Sequence, residues 1–218
     1  MTTAALIVAA GRGIRAGGGL AKQWRPLKGQ RVVDWTLNAF KQSIVEHIVL
    51  VLPSDDDEIW GSFPTAPWLT LAAGGSDRAG SVLNGLQALQ NKDIDKVLIH
   101  DAARPCIAQQ LIDNIVTALD SSAAAAPAVA VTDALWTGAD GQVTGTRDRT
   151  GLFAAQTPQG FHYDAILAAH LAHSGGAADD VEVARTAGLD VAIIPGDPDN
   201  IKITTPGDFA RAERILRT

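Results

Sequence analysis

The sequence predicts an α/β protein built on a mostly parallel β-sheet, with helices on both faces of the sheet and a protruding β-arm. Three observations lead to this prediction. Short apolar runs alternate with segments of helical period, which is typical of repeated βαβ units. The runs contain few polar residues, as expected for strands that are covered on both faces. A glycine-rich segment directly follows the first run, as it does in Rossmann-like sheets.

Five apolar runs are predicted to form the buried strands of this sheet. Each is rich in alanine, valine, leucine or isoleucine, and turn-forming or polar residues separate the runs from the segments between them. Runs of this length and composition indicate strands rather than helices. The predicted strands are Ala4–Ala10, Ile48–Pro53, Leu69–Gly75, Lys96–Ala103 and Ala126–Val131.

Amphipathic segments between the runs are predicted to form the crossover helices. Their apolar faces consist of Val82, Leu83, Leu86 and Leu89 in one helix, and of Leu111, Ile112, Ile115, Val116 and Leu119 in another. A last helix is predicted from Pro206 to about Leu216. Thr205 supplies a capping hydroxyl, Pro206 suits the first helical position, and Asp208 places a carboxylate at the third.

Two regions depart from the alternating pattern. Residues Leu135–Phe153 are polar and rich in glycine, threonine and arginine. They centre on Asp140-Gly141, a dipeptide suited to a tight hairpin turn, so we predict an arm over about residues 133–153. The second region, Gly196–Asp208, is predicted to be a short extended piece between turn residues.

Composition limits the classes of function. The 218 residues are expected to form one domain spanning 1–218, with 46% hydrophobic and 19% charged residues, which is ordinary for a globular protein. The net charge of −6 argues against a nucleic-acid-binding surface. No apolar run approaches the roughly 20 residues of a membrane span, and we expect a cytoplasmic protein. The single cysteine, Cys106, excludes internal disulfides and cysteine-based zinc sites.

The glycine-rich segment has two interpretations. Gly11–Ala16 matches G-x-G-x-x-[GA], the dinucleotide-binding fingerprint of NAD(P)-dependent oxidoreductases. That fingerprint opens a helix, whereas Gly17–Gly19 follow at once and would cost a helix about 3 kcal/mol relative to alanines. We therefore favour a long loop whose bare amides and cations, Arg15 and Lys22 among them, surround a triphosphate. The oxidoreductase stays open as a more distant alternative.

Five segments resemble the 2-C-methyl-D-erythritol 4-phosphate cytidylyltransferase family of nucleotidyltransferases, in the same order along nearly the whole chain. They read AAGRGIRAGGGLAKQW, GGSDRAGSVLNGL, HDAARP, DRTGLFAAQTPQGF and DNIKITTPGDFARAE. The resemblance implies a fold of the nucleotide-diphospho-sugar transferase type. It also implies transfer of CMP from CTP to 2-C-methyl-D-erythritol 4-phosphate, which gives 4-diphosphocytidyl-2-C-methyl-D-erythritol and pyrophosphate in non-mevalonate isoprenoid synthesis.

On the nucleotide side, the resemblance implies that Arg15 and Lys22 stabilise the charge of the transition state. A Mg²⁺ ion held mainly by the CTP phosphates, with no dedicated protein ligands, would neutralise further charge. The positions that match the family's nucleotide-binding residues are Ala9, Ala10, Gly11, Gly75, Ser81 and Asp101.

On the acceptor side, Arg149 and Lys202 match the family's residues that hold the acceptor phosphate for attack. Thr157 and Arg104, in the neighbouring motifs, are also predicted to bind the substrate, and Asp101 is suited to accept hydrogen bonds from ribose or acceptor hydroxyls. In relatives the arm packs across a two-fold axis, so the resemblance implies a homodimer in which Arg149 serves the partner's site.

Two departures from the family pattern affect the acceptor. Ala134 and Ala178 stand where relatives usually have threonines that contact it. Transfer to another polyol phosphate, such as ribitol 5-phosphate, therefore remains an alternative. A non-catalytic nucleotide-binding module is a third possibility, which retention of the cations disfavours.

Overall fold

A computed structural model describes residues 1–11 and 19–216 of the chain. Its strands are Thr3–Val8 (β1), Pro26–Leu27 (β2), Gln30–Arg31 (β3), His47–Leu52 (β4), Leu69–Ala73 (β5), Lys96–Asp101 (β6), Ala124–Ala130 (β7), Leu135–Ala139 (β8), Gln142–Arg147 (β9), Phe153–Ala155 (β10), Gln159–His162 (β11) and Val191–Pro195 (β12). Its α-helices are Val32–Lys41 (α1), Asp57–Gly61 (α2), Arg78–Gln87 (α3), Gln109–Ala118 (α4), Tyr163–Ala172 (α5), Asp180–Thr186 (α6) and Pro206–Ile215 (α7).

The main sheet has the strand order β10-β7-β11-β6-β1-β4-β5, and β12 also pairs with β7. Strand β1 pairs in parallel with β4 and β6, β4 pairs in parallel with β5, and β12 pairs in parallel with β7. The five predicted strands are all present, and the predicted mostly parallel α/β architecture is confirmed. Strands β10, β11 and β12 were not predicted; β10 and β11 run antiparallel to their neighbours, and β12 runs parallel to β7.

Alternate residues of the central strands face two separate cores. Ile7 and Leu50 pack on one face with α1 and α4, whereas Leu6 and Val51 pack on the other with α3, α5 and α6. All four side chains are fully buried. This alternation explains why the strands are apolar at consecutive positions, since both faces of the sheet are covered by helices.

The helix starts follow from local capping. Helix α7 begins at Pro206 as predicted, and Asp208 Oδ2 accepts a 2.7 Å hydrogen bond from the amide of Thr205. Helix α3 begins after Asp77, whose Oδ1 accepts from the amide of Gly80 at 2.7 Å. None of the helices in the described residues is both long and apolar enough to cross a membrane.

The predicted arm contains a hairpin that stands apart from the main sheet. Strands β8 and β9 pair only with each other, and the turn between them places Asp140 at φ 52° and Gly141 at φ 76°. Two successive residues with positive φ are the requirement of a type I′ turn. Trp136 on the hairpin and Phe153 beyond it are 68% and 46% exposed, so the arm presents apolar surface that this chain does not cover.

Candidate active site

A cleft of about 940 Å³ lies at the carboxyl ends of β1, β4, β5 and β6. Loops that leave neighbouring parallel strands at this edge are where ligands bind in open α/β sheets. The cleft is lined by the ends of those strands, by Lys22 and Gln23, and by Lys202 and Thr204 from the segment before α7. The topology therefore brings residues from the first half of the sequence together with residues near its end.

The chain that leaves β1 is anchored by a buried glutamine. Gln23 Nε2 donates hydrogen bonds to the carbonyl oxygens of Ala9, at 2.7 Å, and Gly11, at 2.5 Å. The amide of Ala9 also donates to the carbonyl of Val51 at 2.9 Å. The backbone groups of Ala9 are thus engaged within the protein, whereas Ala10 and Gly11 line the cleft. The predicted transition-state residue Arg15 lies outside the described residues.

The turn between β5 and α3 forms the opposite wall. Ser81 Oγ accepts from the amide of Gly75 at 3.0 Å and donates to the carbonyl of Asp77 at 2.8 Å. A Cβ atom at Gly75 would lie 2.6 Å from the carbonyl carbon of Gly80, so only glycine fits there. These contacts draw the backbone into a tight turn and bring both Gly75 and Ser81 to the cleft.

Asp101 ends β6 inside the cleft between two cations. Its Oδ2 lies 2.6 Å from Lys202 Nζ, and its Oδ1 lies 3.6 Å from Arg78 Nε. Burial alone would raise the pKa of Asp101, but the charges of Lys202 and Arg78 outweigh burial and hold that pKa well below its usual range. Asp101 is therefore a carboxylate near neutral pH, and it can only accept hydrogen bonds.

A buried hydrogen-bond chain holds this strand end in place. The amide of Asp101 donates to Thr157 Oγ1, at 3.1 Å, and Thr157 Oγ1 is 3.1 Å from His100 Nδ1. His100 Nε2 lies 3.1 Å from the carbonyl oxygen of Arg104. Because that carbonyl only accepts, Nε2 carries the proton and Nδ1 accepts from the threonine. His100 is thus a neutral imidazole, and burial lowers its pKa to about 4.

Arg104 extends the chain to the segment that carries Lys202. Its guanidinium donates to the carbonyl oxygens of Asn200, at 2.7 Å, and Ala155, at 3.2 Å, and Asn200 Nδ2 donates to the carbonyl oxygen of Thr157 at 2.8 Å. The motifs HDAARP, QTPQ and DNIKIT are therefore joined behind the cleft. Their contacts fix the positions of Asp101 and Lys202.

The cleft brings together most of the residues predicted from the sequence. Those that line it are Ala10, Gly11, Lys22, Gly75, Ser81, Asp101 and Lys202. Arg104 and Thr157 are instead buried behind the cleft, and Ala9 does not line it. Arg149 is exposed, in the part of the arm between β9 and β10, and is not among the residues that line its own chain's cleft. The ligand contacts predicted for all of these residues stay predictions.

Two residues that organise the site were not predicted from the sequence. Arg78 lines the cleft and bonds through NH2 to Asp180 Oδ2 at 2.7 Å. It belongs to the quoted motif GGSDRAGSVLNGL, but its acidic partner lies 102 residues away, and no local pattern indicates that pairing. Gln23 follows Lys22 directly, and a glutamine beside a predicted phosphate-binding lysine is a signal that could have been recognised.

The fold and the cleft define a nucleotidyltransferase domain, in which a parallel sheet edge combines close backbone turns with paired cations. The family model "2-C-methyl-D-erythritol 4-phosphate cytidylyltransferase" matches residues 3–218. The chain belongs to this family. The predicted fold type is confirmed by a solved structure of the member from Thermus thermophilus, with a TM-score of 0.84 and 28% identity over 100% of both chains.

Two further relatives differ in length. The chain is 60% identical over 220 residues to the 2-C-methyl-D-erythritol 4-phosphate cytidylyltransferase of Roseobacter denitrificans, covering 100% of this chain and 98% of that protein. It is 68% identical over 217 residues to the bifunctional enzyme IspD/IspF of Ruegeria pomeroyi. The match covers 100% of this chain but only 57% of that bifunctional relative.

Proposed function

We propose that this chain transfers CMP from CTP to 2-C-methyl-D-erythritol 4-phosphate, releasing pyrophosphate. The observation that carries the proposal is the cleft in which Lys22, Asp101 and Lys202 meet in a chain of this family. A relative at 60% identity and nearly equal length carries the name of this activity, which supports the same substrates here. The oxidoreductase interpretation requires a helix that continues for several turns after the glycines. Residues 19–31 contain only a 3-10 turn and two short strands, which does not support that interpretation.

The reaction requires one bond to form and one to break. A phosphate oxygen of the acceptor attacks the α-phosphorus of CTP, and the bond from that phosphorus to the bridging oxygen breaks, so pyrophosphate leaves with the electron pair. Lys22 would bind the phosphates of CTP, together with Arg15, as negative charge develops. Lys202 would hold the acceptor phosphate in line for attack. Asp101 would orient hydroxyl groups by accepting their hydrogen bonds.

A Mg²⁺ ion fits this site as a partner of the nucleotide. Among the described residues, no group of three histidine, cysteine or acidic side chains could hold a metal by itself. Mg²⁺ commonly binds through substrate phosphates and one or two carboxylates, so the cleft suits an ion that enters with CTP. When bound, the ion would neutralise charge on the phosphates. We assign it no protein ligand.

The arm supports a homodimer. Its hairpin exposes Trp136 and Val143, which are 68% and 56% exposed, and large apolar side chains on a projecting hairpin favour a protein partner. Arg149 follows that hairpin and does not line its own chain's cleft. A second copy related by a two-fold axis would cover the apolar surface and carry Arg149 to the acceptor phosphate of its neighbour.

A cytoplasmic location is also part of the proposal. The single cysteine, Cys106, is buried, and burial raises the pKa of its thiol to about 12. An inert thiol is compatible with a reducing compartment. The net charge of −6 supports small-molecule substrates rather than nucleic acid.

Transfer to ribitol 5-phosphate is the second candidate. It is favoured by Ala134 and Ala178, which lack the hydroxyl groups that the family pattern places at the acceptor. Both residues lie on exposed loops, so threonines can be introduced there with little effect on packing. They provide matched variants for testing acceptor choice.

The test is pyrophosphate release from CTP with each acceptor, together with UTP as the nucleotide control. We expect turnover with 2-C-methyl-D-erythritol 4-phosphate, and Ala178→Thr should lower the KM for that acceptor by up to about tenfold, the value of one hydrogen bond. If ribitol 5-phosphate is turned over and 2-C-methyl-D-erythritol 4-phosphate is not, ribitol 5-phosphate replaces it as the proposed acceptor. Absence of pyrophosphate release with either acceptor would contradict the proposed function.

A further inference from the structure

Four charged side chains form a row from the cleft into the protein. Lys202 Nζ is 2.6 Å from Asp101 Oδ2, Asp101 Oδ1 is 3.6 Å from Arg78 Nε, and Arg78 NH2 is 2.7 Å from Asp180 Oδ2. Positive and negative charges alternate along this row. One carboxylate, Asp101, is therefore shared by two cations that approach its different oxygens.

The two cations differ in their freedom to move. Asp180 is fully buried, and its carboxylate also lies 3.2 Å from His170 Nε2, while its amide donates to Gln159 Oε1 at 3.1 Å. Arg78 is therefore tied to a fixed anion. The side chain of Lys202 is 41% exposed, and it extends from an irregular segment rather than a helix or strand. Lys202 can turn toward a ligand at much lower cost than Arg78.

A phosphate bound by Lys202 would compete with Asp101 for its charge. If Lys202 were the only cation, its departure would leave a carboxylate that is 13% exposed without a counter-charge, which is strongly unfavourable. Arg78 prevents this. At 3.6 Å its Nε lies within ion-pair range of Asp101 but beyond hydrogen-bond length, so a shorter contact can form when Lys202 leaves.

We propose that Arg78, held by Asp180, is the fixed counter-charge of Asp101 and thereby releases Lys202 to bind the phosphate of the acceptor. The identity of that acceptor rests on the proposed function. Arg78 acts here as a positioning residue, since it works through Asp101 and Lys202. The buried pair Asp180–His170 supports it from behind.

The test measures binding without turnover, by calorimetry on the full chain. The dissociation constants of 2-C-methyl-D-erythritol 4-phosphate, of inorganic phosphate as a simpler probe, and of CTP are compared between wild type and Arg78→Gln. We expect Arg78→Gln to weaken both acceptor-side ligands by about ten- to a hundredfold, as for a lost charge-assisted contact. The dissociation constant of CTP should change by less than about threefold. Arg78→Lys, which keeps a cation beside Asp101, should recover part of the loss.

The matched control is Arg185→Gln, which removes an exposed ion pair, Arg185 NH1 to Asp190 Oδ1 at 2.7 Å, from helix α6 outside the cleft. The inference is overturned if Arg78→Gln weakens CTP and phosphate equally, if it behaves like Arg185→Gln, or if wild type binds neither phosphate probe. If Arg78→Gln does not fold, the comparison of wild type with Arg78→Lys decides. A purely structural role of Arg78 predicts that Arg78→Lys causes no selective change in phosphate binding. The proposed function is judged separately, by pyrophosphate release from the wild-type protein.

Discussion

Two consecutive residues at the end of β6 show how environment sets ionisation. Asp101 is held as a carboxylate by Lys202 and Arg78, while its neighbour His100 is held as a neutral imidazole by burial. Both side chains are fixed by hydrogen bonds or ion pairs to segments far away in the sequence. The chemical state of this strand end is therefore specified by the tertiary fold.

His100 makes stability depend on pH. Its pKa is about 4 in the folded protein and about 6.5 in an unfolded chain, so the unfolded state binds more protons between these values. Stability is therefore retained at high pH and is lost as the pH falls through this window. Between pH 8 and pH 5 the loss from His100 alone is about 2 kcal/mol.

Urea unfolding of wild type and His100→Gln at both pH values measures this contribution. The glutamine variant should be less stable at pH 8, but its free energy of unfolding should fall by about 2 kcal/mol less on acidification. Equal pH dependence of the two proteins would contradict the assignment. An NMR titration of the His100 ring in the wild type provides a check that does not depend on the variant.

Helix α3 packs on the sheet at a position where only glycine leaves room. Gly85 in α3 faces β1 and β4, and a Cβ atom there would lie 2.7 Å from Leu6 Cδ1 and 2.9 Å from Val51 Cγ2. Both neighbours are fully buried and have no space to withdraw. The close contact of α3 with the sheet sets the position of its N-terminal turn, which forms one wall of the cleft.

Two identical substitutions should therefore have opposite effects. Alanine favours helix by about 1 kcal/mol over glycine. At Gly61 an added Cβ atom would meet no neighbouring atom within 4 Å, so Gly61→Ala should raise the free energy of unfolding by up to that amount. Gly85→Ala meets overpacking that costs about 1–3 kcal/mol, and should lower stability by about 1 kcal/mol. Chemical denaturation measures both, and stabilisation by Gly85→Ala would show that the helix is not in close contact with the sheet.

Most of the predicted strands have a continuous apolar pattern, although β12 is an apolar run that was not predicted. Strands β1, β4, β5 and β6 are uninterrupted apolar runs, and α7 carries its cap in Thr205 and Asp208. Strands β10 and β11 escaped prediction because Pro158 and Gly160 break the segment that they share. In the site, residues at predicted strand ends were identifiable. Arg78 was not, because its role depends on a carboxylate 102 residues away.

At the scale of the whole molecule, the cleft and the arm have different proposed roles. The cleft gathers Lys22, Asp101 and Lys202 from three distant segments, whereas Arg149 is an exposed residue of the arm that does not line the cleft. Under the proposed dimer, each site is completed by the neighbouring chain. This division predicts that two inactive chains can restore activity in each other.

Co-expression of Arg149→Ala with Lys202→Ala tests this prediction. If Arg149 acts on the partner's site, mixed dimers contain one intact site, and random pairing should restore about a quarter of wild-type activity. Lys22→Ala with Lys202→Ala is the matched control, because both residues line one chain's own cleft and no mixed dimer has an intact site. Pyrophosphate release measures both pairs. Equal inactivity of the two pairs would place Arg149 in its own chain's site.

The most direct test of cytidylyl transfer at this cleft is ³¹P NMR of wild type and Lys202→Met with CTP, Mg²⁺ and 2-C-methyl-D-erythritol 4-phosphate. With wild type, the phosphomonoester signal of the acceptor should give way to two coupled diphosphate signals, with one pyrophosphate formed per acceptor consumed. Lys202→Met should form the same product at least about a hundredfold more slowly. Consumption of CTP with the phosphomonoester signal unchanged, or an unaffected rate in Lys202→Met, would contradict transfer to the acceptor at this site.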